Sequence, residues 1–137
     1  IVLDSPLLED MNRQAADARR EKRFRDWAET VAREDLQRKI KTTRLTMELE
    51  LAAALELFKI DNGRFPTQAQ GLQALRAAPE GAAGWQGPYL EEHEMSDAWG
   101  RPFQYRIPGV RHPEAFDLYS WGEDGAGDGL QADDILL

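Results

Sequence analysis

Between Pro6 and Lys59 the chain contains neither glycine nor a further proline. Because these two residues are the usual helix breakers, a stretch of this length predicts one long helix, or two helices that meet at a subtle break. The start Asp4-Ser5-Pro6 is typical of a helix N-terminus, with Ser5 as the N-cap. The sequence Asp61-Asn62-Gly63 is a stop signal, since glycine adopts the left-handed C-cap conformation without strain.

The two halves of this helical stretch differ in polarity. Residues 12–35 are densely charged and have few large apolar side chains, chiefly Phe24, Trp27 and Val31. They are predicted to form an exposed helical extension or a segment that packs on a partner. The second half carries an apolar stripe at helical spacing, which predicts a face buried on the rest of the domain. Its members are Leu36, Ile40, Thr43, Met47, Leu51, Ala54 and Phe58, widened by Leu45, Leu49 and Leu57. We therefore divide the chain into a charged helical stem, residues 1–35, and a globular domain, residues 36–137.

Charge is distributed unevenly along the chain. Residues 1–44 carry eleven Lys and Arg against nine Asp and Glu, whereas the remainder carries six against sixteen, for a net charge of −8. The acidic C-terminal part repels the phosphates of nucleic acids and lipids, so we expect no nucleic-acid partner. The basic cluster of the stem is either a patch for acidic lipid headgroups or a solvated helix face supported by ion pairs. Its members are Arg19, Arg20, Lys22, Arg23 and Arg25.

Two further absences exclude whole classes of protein. The chain has no cysteine, which excludes disulfides and thiolate metal sites. It also has no run of 18 apolar residues, so no segment is predicted to span a bilayer. The abrupt start at Ile1 is consistent with a processed or truncated form of a longer protein.

Downstream of the long helix the sequence predicts short elements. Thr67 and Gln70 match a capping box that opens a second, short helix ending before Pro79. Residues 103–107 alternate between apolar and polar side chains, the pattern of a half-buried strand, and residues 116–121 form a second apolar strand. The predicted fold class is α+β, with the long N-terminal helix packed on a small antiparallel sheet of two to four strands.

The last residues, FDLYSWGEDGAGDGLQADDILL from Phe116 to Leu137, combine acidic side chains and glycines without one Lys or Arg. Like charges repel each other, and glycines lose much backbone entropy when they become ordered. A hard cation with oxygen ligands, most often calcium, would offset both costs. The spacing does not match an EF-hand, because Ala126 and Ile135 stand where ligands belong. Composition alone leaves two interpretations open, an irregular calcium loop or a solvated acidic tail.

Other candidate sites have weaker support. His93 and His112 are the only histidines, they are far apart, and neither has a ligand-spaced partner, so zinc and a histidine-based triad are not expected. Carboxylates near tryptophans could suggest glycoside hydrolysis, but Trp85, Trp99 and Trp121 are interpreted as core anchors of a small domain. No phosphate-binding glycine loop precedes a helix.

Three motifs in order resemble the major pseudopilin family of the bacterial type II secretion system. LELAAALELFKIDNGRFPTQAQGLQAL, residues 49–75, is similar to the family's helix end and first loop. GPYLEEHEMSDAWGRPFQYRIPG, residues 87–109, is similar to its segment with Asp-Pro-Trp-Gly, although Ala98 replaces the usual proline. The acidic C-terminal segment resembles the family's calcium loop. Together the motifs cover residues 45 to 135.

The resemblance implies a type IV pilin-like fold with a C-terminal calcium-binding loop. It implies that Asp124 and one or both of Asp133 and Asp134 supply carboxylates, and that Trp121 and Ala126 supply backbone carbonyls. It also implies self-assembly into a periplasmic filament, the pseudopilus, together with other pseudopilins and secretion-system proteins. The family's hydrophobic N-terminal anchor in the inner membrane has no counterpart here. We interpret the chain as a form lacking that anchor, or as a divergent relative with a long stem.

Three hypotheses follow from the sequence. The first is a non-enzymatic, calcium-stabilised structural subunit of the pseudopilus. The second is a monomeric calcium-dependent binding module of the same fold that recognises a protein partner through its N-terminal helix. The third, with the least support, is a small hydrolase that uses carboxylates. In the first two, Asp117 lies in a strand and is expected to face a turn donor or solvent rather than the metal.

Overall fold

The structure is a computed structural model that describes residues 5–125 and 134–137. Its contacts divide the chain into two compact units, Ile1–Gln37 and Arg38–Leu137. The division into a helical stem, residues 1–35, and a globular domain, residues 36–137, stays a prediction. No helix in the described ranges has both the length and the apolar character needed to cross a bilayer.

The long helical stretch contains three segments. Helix α1 runs over Ser5–Thr46, a π-helical turn over Met47–Leu51, and helix α2 over Ala52–Asn62. In the π turn the N–H of Ala52 donates to the carbonyl of Met47, five residues earlier. Of the two predicted forms, one helix or two helices with a subtle break, the structure has a break of one π turn.

The π turn has a physical reason in the spacing of the apolar side chains. Thr43, Met47 and Leu51 are spaced by two successive steps of four residues, and all three are buried. In a regular α-helix of 3.6 residues per turn, each step of four rotates a side chain away from the previous one. A π turn takes more residues per turn, so it keeps Met47 and Leu51 on the same buried face.

The first unit is a polar helix. Arg20 pairs with Asp17 at 2.9 Å and Lys22 with Asp26 at 3.5 Å, three and four residues apart. These pairs agree with a solvated helix face supported by ion pairs. Phe24 and Trp27 are 65% and 60% exposed, and their ring centroids are 5.6 Å apart.

The hydrophobic core lies in the second unit. One face of the helical segment from Met47 to Phe58 packs in a cluster with residues of the sheet and of the loops between them. Leu55 and Phe58 on the helix and Leu75 on the following 3₁₀ turn have no exposed surface, and Leu118 on the sheet is 1% exposed. The predicted packing of the long helix on the sheet is confirmed, because Tyr105 and Leu118 of the strands belong to this cluster.

One part of the predicted helix face is wrong. Leu45, Leu49 and Leu57 were expected to widen the buried stripe, but they are 41%, 64% and 49% exposed. They are offset by two residues from Met47, Leu51 and Leu55. Two residues rotate about 200° around a helix, which places these side chains on the face opposite the core.

The predicted end of the long helix is confirmed at α2, whereas the predicted second, short helix does not form. Gly63 has a φ of 79°, and its N–H donates to the carbonyl of Lys59, as expected for a C-cap. Thr67 and Gln70 form both bonds of the capping box. The described residues after the box form no α-helix, however. The box closes a turn, Gly71 takes a φ of 61°, and only a short 3₁₀ turn forms at Leu72–Leu75.

Within the described residues the sheet has three strands in the order β1-β2-β3, all antiparallel. Strand β1 is Gln104–Arg106, β2 is Asp117–Ser120 and β3 is Ile135–Leu136. Tyr105 lies opposite Leu118, and Ser120 lies opposite Ile135. The first two strands and their pairing confirm the α+β prediction with a long helix and a small antiparallel sheet. Strand β3 is new, since the sequence assigned its residues only to the acidic C-terminal segment.

Two of the tryptophans pack on the core. Trp85 and Trp99 are partly buried against the cluster, and the indole N–H of Trp85 donates to the carbonyl of Ala74 at 2.7 Å. Trp121 is half-buried where the chain leaves β2. The expectation that tryptophans anchor the core is therefore confirmed for the first two.

Candidate metal centre

The β2–β3 hairpin brings the two ends of the acidic loop together. Ser120, the last residue of β2, lies opposite Ile135, the first residue of β3. Trp121 directly follows β2 and Asp134 directly precedes β3. Two of the predicted ligands therefore start from the adjacent ends of paired strands.

A buried carboxylate fixes the point where the chain enters the loop. Asp97 is 7% exposed and follows the 3₁₀ turn Glu92–Met95. Its Oδ1 accepts hydrogen bonds from the backbone N–H groups of Trp99 and Arg101, each at 3.0 Å. Its Oδ2 accepts the hydroxyl of Ser120 at 2.6 Å, and that hydroxyl in turn accepts the N–H of Gly122 at 3.1 Å. The turn at residues 97–101 is thereby tied to the end of β2.

The side chain of Arg101 lies against the first turn of the loop. One guanidinium nitrogen, Nη1, donates to the carbonyl of Gly122 at 2.9 Å and to that of Glu123 at 3.4 Å. Gly125 has a φ of 69°, and a Cβ at this position would collide with the guanidinium. The loop entrance, residues 122–125, therefore wraps closely around a positive charge.

The structure describes three of the five predicted metal ligands. Trp121 is half-buried, Asp124 is exposed at the loop entrance, and Asp134 is half-buried just before β3. Ala126 and Asp133 lie outside the described residues. Two carboxylates and a backbone carbonyl are hard oxygen donors, the ligand chemistry that suits calcium rather than zinc. The donors that are described fit the predicted ion.

Asp117 is held by backbone groups at the other end of β2. Its carboxylate accepts the N–H groups of Val110 at 2.7 Å, Arg111 at 3.0 Å and His112 at 3.0 Å. Arg106 approaches it to 3.9 Å. The prediction that Asp117 faces turn donors is confirmed. Burial raises the pKa of this carboxyl, but the three N–H donors and Arg106 outweigh burial and hold its pKa below the ordinary value.

A second group of possible ligands was missed by the sequence reasoning. The 3₁₀ turn places one ligand atom each of Glu91, His93 and Glu94 within 4.8 Å of one another. Glu91 and Glu94 already form a reciprocal capping box. A hydrogen bond that Glu50 donates to the Glu94 carboxylate is the main cause that raises the pKa of Glu50, while the N–H of Glu91 lowers the pKa of Glu94. Glu91, His93 and Glu94 are only one or two residues apart, and such close spacing is not a metal-ligand motif that can be recognised in a sequence. The capping box of the 3₁₀ turn explains why Glu91 and Glu94 lie together.

Comparison with known proteins decides the family. The model of the family described as type II secretion system (T2SS), protein G, matches residues 30–136. This range includes the helix end, the turn at residues 97–101, the sheet and the acidic loop. The chain belongs to the type II secretion protein G family.

Curated relatives support the same assignment over part of their length. The type II secretion system core protein G of Xanthomonas campestris is 41% identical over 83 residues, which cover 61% of this chain and 54% of the relative. The protein of the same name from Pseudomonas aeruginosa is 42% identical over 87 residues, covering 61% and 59%. The chain thus matches a little over half the length of these two relatives.

The fold agrees with a solved structure of the family. The crystal structure of the major pseudopilin from the type 2 secretion system of enterohaemorrhagic Escherichia coli matches with a TM-score of 0.64 and 25% identity. The match covers 75% of this chain and 85% of that chain. The pilin-like fold that the motifs implied is therefore correct.

The Asp117 site predicts a pH dependence of stability in this member of the protein G family. Because the folded state depresses the pKa of Asp117, its contribution is fully present above the unfolded-state pKa. It is lost as the pH falls through the lower folded-state pKa. Asp117→Asn removes charge-assisted hydrogen bonds and should cost roughly 1–3 kcal/mol at neutral pH. The free energy of unfolding of the variant should also fall less steeply as the pH is lowered from neutral into the acid range, measured by urea unfolding.

Glu114→Gln is the matched control, since Glu114 is an exposed carboxylate of the same loop. It should unfold like the unaltered protein at every pH. An Asp117→Asn variant with unchanged stability and an unchanged acid dependence would show that the backbone donors do not stabilise the carboxylate.

Proposed function

We propose that this protein is a structural subunit of a type II secretion pseudopilus, assembled with copies of itself and with other pseudopilins. The observation that carries the proposal is the family match over residues 30–136 combined with the pilin-like fold. In this proposal the protein works by assembly rather than by catalysis, in the periplasm and attached to the inner membrane in its full-length form.

An outward apolar stripe on the helix supports assembly. Leu45, Leu49, Ala53, Leu57 and Ile60 follow one another at steps of four, four, four and three residues on the face opposite the core. Leu49 is 64% exposed and Ile60 is 74% exposed. Contiguous exposed apolar side chains on a helix mark an interaction surface more often than isolated ones do. In the proposed filament this stripe packs against a neighbouring subunit.

Assembly through this stripe is tested with Leu49→Lys in the full-length protein. Burying a lysine in a subunit contact costs free energy unless the charge finds a partner, so the variant should form few or no filaments. Filaments are counted by electron microscopy of material sheared from cells. Leu49→Met keeps the apolar contact and should assemble normally, and Glu56→Lys controls for an added positive charge on the same helix.

The stripe is not an assembly surface if Leu49→Lys assembles as well as Leu49→Met. The proposal fails equally if Leu49→Lys lowers the thermal midpoint of the isolated chain as a core substitution would. Such a drop would show that Leu49 contributes to the fold rather than to a contact between subunits.

The second part of the proposal is that calcium orders the acidic loop. Asp124 and Asp134, with Asp133, would supply carboxylates, and Trp121 and Ala126 would supply carbonyls. What supports this assignment is the hairpin, which starts the two ends of the loop at neighbouring positions, and the oxygen-only chemistry of the described donors. Bound calcium would neutralise carboxylates that otherwise repel one another, so that its binding free energy adds to the free energy of folding.

Calcium binding should be visible as a chelator-dependent loss of stability. A ligand at about 100 times its dissociation constant adds roughly 2.7 kcal/mol, so chelation should lower the thermal midpoint by several degrees. It should also increase proteolysis after Trp121. Asp124→Ala should lower stability similarly and make the protein insensitive to chelator. Magnesium should substitute poorly, because an irregular loop gives it no tight octahedron.

The acidic loop binds no calcium if calorimetry detects no binding up to millimolar concentrations and chelator changes neither stability nor proteolysis. Asp35→Ala, on the helix, is the control for removing a carboxylate elsewhere in the chain. It should leave the response to chelator unchanged.

The alternative function is a monomeric calcium-dependent module that binds a protein partner through its N-terminal helix. The observation that favours it is the exposed Phe24–Trp27 pair in the first unit. The assembly experiment separates the two functions. A protein that binds calcium but never assembles, whichever residue stands at position 49, would support the module.

A further inference from the structure

Gly122, the first residue of the loop entrance, has both its backbone N–H and its carbonyl engaged in hydrogen bonds. The N–H of Gly122 donates to the hydroxyl of Ser120, and its carbonyl accepts a hydrogen bond from Arg101. The carbonyl of Glu123 accepts a second, longer bond from the same guanidinium nitrogen. Two consecutive carbonyls are thus engaged by one side chain.

Arg101 is itself held in place from two directions. Its backbone N–H donates to Asp97 Oδ1 at 3.0 Å, and its carbonyl accepts the N–H of Asp97 at 2.8 Å. On the other side the guanidinium packs against Gly125, in the space that a Cβ at this position would occupy. A side chain fixed at its base and covered at its tip loses little further freedom when it binds the loop.

We propose that Arg101 is a positioning residue that preorganises the loop entrance for calcium. This inference rests on the proposed calcium role of the loop. The two carbonyls that Arg101 engages, those of Gly122 and Glu123, are flanked by the two entrance ligands, the carbonyl of Trp121 and the carboxylate of Asp124. By fixing the residues between these ligands, Arg101 sets the distance between them before the ion arrives.

Preorganisation matters here because the loop is rich in glycine. Gly122, Gly125, Gly127 and Gly129 occupy four of its positions, and glycine loses the most backbone entropy on ordering. If only a fraction of molecules has the binding conformation, the apparent dissociation constant rises by the inverse of that fraction. A side chain that raises the fraction therefore tightens binding without touching the metal.

The charge of Arg101 acts in the opposite direction. A guanidinium near the loop repels a divalent cation, so its removal would tighten binding if charge were the larger effect. Two hydrogen bonds to carbonyls and the close packing of Gly125 show that the guanidinium is built into the fold of the entrance. We expect ordering to outweigh repulsion, and the sign of the change in affinity distinguishes the two effects.

The test is calcium titration of the full chain by calorimetry. Arg101→Met removes the hydrogen bonds and the charge, and it should weaken calcium binding about tenfold through the lost population of competent loop. Arg101→Lys keeps the charge without the planar fork and should rescue only a small part of the loss. Arg111→Met, at an exposed arginine, is the control and should bind like the unaltered protein. Equal or tighter binding by Arg101→Met overturns the proposal.

Hydrogen exchange in the presence of chelator gives a readout that does not depend on calcium. The amides of residues 122–125 should exchange faster in Arg101→Met, while those of β1 and β2 stay protected. If the unaltered protein binds no calcium, the calcium role fails, but unchanged exchange at 122–125 would separately refute the ordering role of Arg101. Faster exchange throughout the sheet would also overturn it, since Arg101 would then support the whole fold.

Discussion

The carboxylate of Asp97 is the interaction on which the second unit depends. A buried charge is costly unless hydrogen bonds replace its water, and this one accepts three, from two backbone N–H groups and the Ser120 hydroxyl. The N–H of Ala98, the next residue, donates to the hydroxyl of Thr43 on the helix at 3.1 Å. A single turn therefore ties the helix, the end of β2 and the entrance of the acidic loop together.

The helix has two apolar faces with different roles. One face carries fully buried side chains such as Met47, Leu51 and Phe58 and stabilises the fold. The opposite stripe, from Leu45 to Ile60, contributes little to that core and is available to another molecule. A subunit that must fold alone and then assemble needs this separation, because substitutions on one face need not disturb the other.

Local signals in the sequence predicted most of the fold. The left-handed Gly63 and the alternating strand at residues 103–107 each depend on a few neighbouring residues, so the pattern was sufficient. The Thr67–Gln70 capping box also formed, but the α-helix predicted to follow it is replaced by a 3₁₀ turn. The π turn was foreseen only as a subtle break. The exposed Leu45, Leu49 and Leu57 were misassigned because an apolar side chain at helical spacing does not reveal which face meets the core. Strand β3 has two residues, too few for any alternation, and it forms because Ile135 pairs with Ser120 across the sheet.

The sequence indicated candidate ligands for the site, but it did not indicate the residues that hold the loop entrance in place. Acidic residues and glycines left a cation loop and a solvated tail open, and the resemblance favoured the loop and implied Trp121, Asp124, Ala126, Asp133 and Asp134 as its ligands. The roles of Asp97 and Arg101 could not be derived, because they come from a turn some twenty residues away in sequence. The pKa of Asp117 likewise depends on three N–H groups of a loop that has no regular structure.

A double-mutant cycle between Asp97 and Ser120 measures whether their hydrogen bond ties the turn at residues 97–101 to β2. Asp97→Asn, Ser120→Ala and the double variant are unfolded in urea, and the coupling energy is taken from the four free energies of unfolding. Because the two side chains share a buried hydrogen bond of 2.6 Å, we expect a coupling of about 0.5–3 kcal/mol. If the changes in the free energy of unfolding caused by the two substitutions add within about 0.3 kcal/mol, the Asp97–Ser120 pair does not hold the turn to β2. The loop entrance would then not depend on this hydrogen bond.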